Sequence, residues 1–181
     1  MYQPNYFYLD NFLTKTDNNL LLNFAINNQT NFKDSATSSN APNFRKSKVL
    51  YDFPQFSQLI TSKLFRLFDS TCHNLKIESY QIAQIECQLT AHNHGDYFKL
   101  HTDNGSELTK NRQITYVYYF HKLPKQFEGG YLEIDGVNLP PTNNRIVFFP
   151  SGDLHQVSPV ICPDRAFENS RFTVNGWIRS V

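Results

Sequence analysis

The chain has almost no excess charge of either sign. Seventeen Lys and Arg stand against 16 Asp and Glu, a formal net charge of +1 over 181 residues. That balance removes the broad attraction by which proteins hold nucleic acid or an anionic membrane, so neither is expected as a partner. Cysteine is scarce. Cys72, Cys87 and Cys162 are odd in number, widely spaced and form no CxxC pair. This argues against a disulfide framework and for reduced thiols in a cytoplasmic protein. Long apolar runs are missing as well: no stretch approaches the roughly 18 apolar residues of a transmembrane helix. Met1-Tyr2-Gln3-Pro4-Asn5 lacks the basic flank and apolar core of a signal peptide. There is no internal repeat, no domain linker and no signature of oligomeric state.

What the chain does have is apolar and aromatic mass. Hydrophobic residues make up 40% and aromatics 15%, with 16 Phe and 10 Tyr. This is enough to fill the core of a single domain over residues 1–181. Phe7-Tyr8-Leu9 reads as a short strand. Thr16-Asp17 can cap a helix carrying Leu20, Leu21, Phe24 and Ala25. The Asn-, Ser- and Thr-rich segment from Asn27 to Asn43 reads as a surface loop, either a plain excursion or a lid. Arg45 to Tyr51 looks like a strand. Pro54 suits a helix start, and Phe56, Leu59, Ile60, Leu64, Leu67 and Phe68 keep helical spacing to about Asp69. Beyond Cys72 the texture turns to strands: Ile82 to Leu89, Gln113 to Phe120, Gly130 to Asp135, Arg145 to Phe149 and Arg171 to Ile178. The expected class is α+β, mainly β. Residues 1–75 form a helical support, and residues 76–181 form a jelly-roll core of two packed antiparallel sheets.

Within that core His101 and Asp103 lie two positions apart, so at a strand end both can reach one small ion. His155 follows an apolar strand 54 residues after His101. Two His and one carboxylate make a facial triad that leaves coordination positions open, as in non-haem Fe(II) oxygenases; Zn or Mn suits the same ligands. In Arg171-Phe172-Thr173-Val174-Asn175-Gly176-Trp177, alternation puts Arg171, Thr173 and Asn175 on one face. An inward Arg on an otherwise uncharged strand needs a partner, and its planar fork matches a carboxylate. The Thr173 hydroxyl is placed to share that carboxylate. Tyr119, on the same face as Thr115 and Val117, offers a phenol donor.

In this order, His101-Thr102-Asp103, the Tyr118-Tyr119 strand, Gly129-Gly130-Tyr131-Leu132, His155, and Arg171 six residues before Trp177 resemble the Fe(II)- and 2-oxoglutarate-dependent dioxygenases. The likeness is nearest to their prolyl-4-hydroxylase-like branch and runs from Glu86 to Arg179. It implies a double-stranded β-helix with Fe(II) on His101, Asp103 and His155. It further implies 2-oxoglutarate chelating the iron, with its far carboxylate held by Arg171, Tyr119 and Thr173. O2 would be the second co-substrate, ascorbate the reductant, and succinate and CO2 the products of hydroxylating a C–H bond. Proline, free or in a peptide, is the substrate the branch favours; another amino acid or small molecule fits the same core. Related halogenases carry a small residue where Asp103 stands, so its retention points to hydroxylation.

One departure bears on the anchor. In many members of that family the anchoring base follows the distal His more closely. Here that window holds Arg165, and Arg171 stands 16 residues on. Arg171 is preferred, because Arg165 follows the turn signal Pro163-Asp164. His92 and His94 read as polar loop residues rather than pocket groups, and His73 and His121 as structural or surface. Gly129-Gly130 reads as a turn needing positive φ, Cys87 as a small buried group, and Tyr116 and Tyr118 as packing under a helix. Two other classes stay open: a non-catalytic metal-binding recognition module, and a Zn hydrolase, for which no neighbouring Glu supplies a base.

Overall fold

The computed structural model describes residues 5–35 and 43–181. In chain order the elements are β1 (Phe7–Asp10), α1 (Lys15–Asn27), β2 (Lys33–Asp34), β3 (Arg45–Lys46), β4 (Lys48–Leu50), α2 (Pro54–Leu75), β5 (Ile82–Ile85), β6 (Gln88–His92), β7 (Tyr97–His101), β8 (Arg112–Phe120), β9 (Glu128–Gly129), β10 (Leu132–Ile134), β11 (Val137–Leu139), β12 (Arg145–Pro150), β13 (His155–Val157), β14 (Val160–Ile161) and β15 (Arg171–Ser180). An eight-stranded sheet runs β1-β12-β8-β15-β6-β4-β2, with β5 also on β15; a five-stranded sheet runs β11-β10-β13-β7-β3. The pairings are antiparallel throughout. The fold is a jelly roll, mainly β, with two helices against the larger sheet.

Alternation along β8 sorts its side chains. Tyr116, Tyr118 and Phe120 enter the core beneath the helices, together with Phe148, Phe172 and Val174 of the flanking strands and Leu21, Phe56, Ile60 and Leu64 of α1 and α2. The Tyr118 hydroxyl donates to Asn18 Oδ1 at 2.6 Å and lies 2.9 Å from Asn144 Oδ1, tying α1 to the sheet. Thr115, Val117 and Tyr119 take the opposite face, toward the smaller sheet. That inner face, open between the two sheets, holds the site.

Several element limits differ from the sequence reading. The cap of α1 is Thr14, not Thr16-Asp17; its side chain accepts from Asp17 N. α2 continues past Asp69 to Leu75 and ends on Lys76 at φ +54°. The Asn27 to Asn43 segment contains a 3₁₀ turn at Gln29–Asn31 and β2, while residues 36–42 of it lie outside those described. Arg45 to Tyr51 is two strands, not one: Ser47 interrupts it, sending β3 to the small sheet and β4 to the large one. Ile82 to Leu89 likewise splits into β5 and β6, which both pair with β15. Asp135-Gly136 turns β10 back into β11, a hairpin with both residues at positive φ. Among the described residues no helix is long and apolar enough to cross a membrane.

Candidate metal centre and anion pocket

His101 ends β7 and faces His155 at the start of β13; the two are directly paired across the small sheet, and their ring centroids lie 4.2 Å apart. Asp103 sits just past β7, held by its N–H on the Ser151 carbonyl at 2.9 Å. Its carboxylate comes between the imidazoles: Oδ1 is 3.4 Å from His101 Nε2, and Oδ2 is 3.2 Å from His155 Nε2. One ligand atom from each residue lies within 4.8 Å of the others.

The outer hydrogen bonds decide what these atoms offer. His101 Nδ1 is 2.7 Å from the Lys99 carbonyl and His155 Nδ1 is 2.9 Å from the Asp153 carbonyl. A carbonyl only accepts, so both Nδ1 atoms carry the proton and, in the neutral rings, both Nε2 lone pairs point to the centre. Thr115 Oγ1 donates to Asp103 Oδ2 at 2.9 Å and lies 2.9 Å from Ser151 Oγ. Burial works against ionising Asp103, but hydrogen bonds and charge from His101 and His155, when their rings carry protons on both nitrogens, outweigh it and hold the carboxyl well below its usual range; a cation bound between neutral rings would supply the same stabilisation. Two neutral imidazole nitrogens and one carboxylate, converging and oriented, fit a divalent transition metal.

A cavity of about 50 Å³ opens from this triad along the inner face of β15, lined by Arg171, Thr173, Asn175 and Trp177 in alternation. Arg171 is 2% exposed. Its Nε donates to the Gly130 carbonyl at 2.8 Å and its Cζ is 5.0 Å from the Tyr119 ring centre, yet no carboxylate pairs with it among the described residues. Leaving a guanidinium buried without counter-charge costs several kcal/mol, a cost that an anion brought from outside would offset. The Tyr119 hydroxyl is buried beside the Arg171 guanidinium and makes no well-formed hydrogen bond among the described residues. Burial raises its pKa while the Arg171 charge opposes the rise, so the phenol keeps its proton and remains a donor. Thr173 lines the cavity, its hydroxyl turned to Asn175 Oδ1 at 3.2 Å. Arg165 is exposed, in a turn at φ +55°.

The sequence itself settles the kinship. A sequence model of the 2OG-Fe(II) oxygenase superfamily matches residues 87–179. The chain belongs to that superfamily. An uncharacterized PKHD-type hydroxylase from Synechocystis is 40% identical over 94% of this chain, which spans 62% of that relative's length. Two solved structures share the oxygenase fold. A prolyl-4-hydroxylase from Pseudomonas putida superposes with a TM-score of 0.74 at 18% identity, covering 99% of this chain and 94% of its own. A Trichoplax adhaerens prolyl hydroxylase, solved with a hypoxia inducible factor peptide fragment, gives 0.70 at 18% identity, covering 98% and 84%.

In this superfamily member five of the six residues singled out from sequence, His101, Asp103, His155, Arg171 and Thr173, line one cavity, and Tyr119 stands against Arg171 beside it. His92 is not a loop residue. It is buried at the end of β6, lines the cavity, and sets Nδ1 3.3 Å from Arg171 Nη1. Its signal was the alternation Gln88, Thr90, His92, legible only once β6 is separated from β5. His94 is half-buried and accepts from the Cys162 N–H through Nδ1 at 3.3 Å; His121 is buried on backbone carbonyls; His73 is exposed on α2. Cys87 is half-buried against the helical core, and burial pushes its thiol up to about 11. Arg45 also lines the cavity.

Proposed function

We propose that the protein is an Fe(II)- and 2-oxoglutarate-dependent hydroxylase of an unactivated C–H bond, with proline, free or within a peptide, as the favoured substrate and succinate and CO2 as co-products. The observation that carries the reading is Arg171, buried with no carboxylate partner among the described residues and beside the buried Tyr119 hydroxyl, on the same strand face that leads to the His101, Asp103 and His155 cluster. A metal-binding module or a Zn hydrolase has no use for a dicarboxylate anchor at that place. The prolyl hydroxylase folds support the substrate choice, and the peptide carried by one of them supports a peptide as readily as a free residue.

His101, Asp103 and His155 would hold the iron; Arg171, Tyr119 and Thr173 would hold the far carboxylate of 2-oxoglutarate. Iron held there supplies activation of O2 and oxidation of the C–H bond. The remaining work is the chain's own. The Lys99 and Asp153 carbonyls fix the tautomer and the aim of both imidazoles, and Thr115 fixes the second oxygen of Asp103. Arg171, fixed through Nε on the Gly130 carbonyl, would orient the co-substrate through its terminal nitrogens. On this reading no general acid or base is required. We place the enzyme in the cytoplasm, with ascorbate as reductant, and read residues 1–181 as one catalytic domain. Its test is succinate release with Fe(II), 2-oxoglutarate and ascorbate across free proline, other amino acids and proline-containing peptides. At least one should drive succinate formation that Asp103→Ala abolishes. No release from any of them, with metal binding intact, would favour the non-catalytic metal-binding module.

A further inference from the structure

Arg45 is a second cation in the pocket, and the co-substrate does not account for it. It lies on β3, the short strand that Ser47 diverts onto the small sheet, so it approaches the cavity from the wall opposite Arg171. Its Cζ stands 5.0 Å from the Phe98 ring centre, and Phe98 is stacked on the metal-site His101 with centroids 3.6 Å apart. Its Nε donates to Ser47 Oγ at 3.0 Å, which fixes the side chain, and among the described residues its terminal nitrogens make no hydrogen bond. No carboxylate lies within ion-pair distance of it among the described residues, whereas its neighbour Lys46 pairs with Asp96 at 3.3 Å. Burial presses the guanidinium below its usual range, with Tyr51 and Asp103 opposing through space only. Arg45 is half-buried, so its charge is partly solvated and costs less than that of Arg171, but facing a cavity without a carboxylate it is placed to bind one brought by a ligand.

The neighbouring polar atoms extend the pattern. Gln88 Nε2 and Trp177 Nε1 belong to cavity-lining residues on the facing sheet, and both are buried donors without a partner. With Arg171 and Tyr119 committed to 2-oxoglutarate, Arg45 remains with these two donors on the side of the cavity left for a substrate.

We infer that Arg45 binds a carboxylate of the substrate, so that the C–H bond presented to the metal belongs to a free carboxylic acid: a free amino acid or the C-terminal residue of a peptide, rather than an internal peptide residue. This rests on the oxygenase reading and narrows it. An internal proline and its own peptide bonds bring only neutral amide oxygens to Arg45, and neutral acceptors hold a guanidinium far less well than a carboxylate does.

The test uses the full chain loaded with Mn(II) and 2-oxoglutarate, so that no turnover occurs. Binding is measured by calorimetry for the free L-amino acids, including L-proline, and for Gly-L-proline, each against its carboxamide. At least one acid should bind, with its amide at least about tenfold weaker. Free acid binding without the dipeptide identifies a free amino acid; binding of both identifies a chain end. Arg45→Gln should remove the preference for the acid and leave 2-oxoglutarate affinity unchanged. Equal binding of acid and amide, no binding by any acid, or a loss of 2-oxoglutarate affinity in Arg45→Gln as large as in Arg171→Gln would each overturn the inference. The acid–amide comparison uses wild-type protein and stands even if the variant does not fold. Failure of the underlying reading appears separately, as no Mn(II)-dependent binding of 2-oxoglutarate to the wild type before any probe is added.

Discussion

Arg171 Nη1 lies 3.3 Å from His92 Nδ1. A guanidinium has only donors, so His92 Nδ1 must accept, and the ring proton sits on Nε2, which is buried without a partner. His92 is therefore neutral in the folded chain. Burial first, then the charges of Arg171 and Arg45, hold its pKa well below the usual range.

The sign of the pH effect follows. In the unfolded chain His92 takes a proton near pH 6.5; in the folded chain it does so only at much lower pH. Between those values the unfolded state binds the extra proton, so stability falls as pH falls below about 6.5, by up to about 1.4 kcal/mol per pH unit. His92→Asn removes this contribution. Melting temperatures of the metal-free protein at pH 7.5 and 5.5 should differ less in the variant than in the wild type; an equal difference would mean that His92 does not titrate as its surroundings require.

Gly130 makes room for the anchor. At φ +65°, a Cβ there would stand 2.5 Å from Arg171 Cδ and 3.1 Å from Nε, against a side chain already fixed on the Gly130 carbonyl. Gly130→Ala should cost about 1–3 kcal/mol of stability from backbone strain and weaken 2-oxoglutarate as the fork is displaced. Thermal unfolding and calorimetric titration check the two effects separately.

Thr115 acts on the metal through Asp103. Thr115→Val keeps the shape and removes the hydrogen bond to Oδ2. Loss of such an outer partner typically lowers metal affinity about 10- to 100-fold. Mn(II) titration followed by electron paramagnetic resonance would measure it; an unchanged affinity would show that the carboxylate is held by the two imidazoles and Ser151 alone.

Tyr118 is the control on the other face of β8. Tyr118→Phe leaves Asn18 and Asn144 without their shared donor and should destabilise the fold by about 1–3 kcal/mol while Mn(II) and 2-oxoglutarate affinities stay at the wild-type level, read by chemical denaturation and calorimetry.

The residues legible in the sequence were those whose chemistry is carried by type and order. His101, Asp103 and His155 declare themselves by ligand type, and the inward turn of Tyr119 and Arg171 follows from strand alternation. What stayed hidden depends on where a strand breaks. Arg45 to Tyr51 alternates well enough to read as one strand, and only tertiary pairing reveals that Ser47 hands Arg45 to the small sheet and Val49 to the large one. The same holds for His92: with β5 and β6 read as one strand ending at Leu89, it falls into a loop. The helix limits were missed for local reasons: Thr14 and Thr16 are equally good cap types by sequence, and a left-handed Lys76 at the end of α2 carries a weaker signal than Gly would.

The central claim is that Arg171 is the anchor of a dicarboxylate co-substrate. Its most direct test is the dissociation constant of 2-oxoglutarate from the Mn(II)-loaded protein, measured for the wild type, Arg171→Ala and Arg165→Ala. Losing a buried charge-assisted pair should weaken binding by at least about tenfold in Arg171→Ala, while Arg165→Ala, altered in an exposed turn, matches the wild type. Wild-type affinity in Arg171→Ala, or a loss confined to Arg165→Ala, would contradict the account.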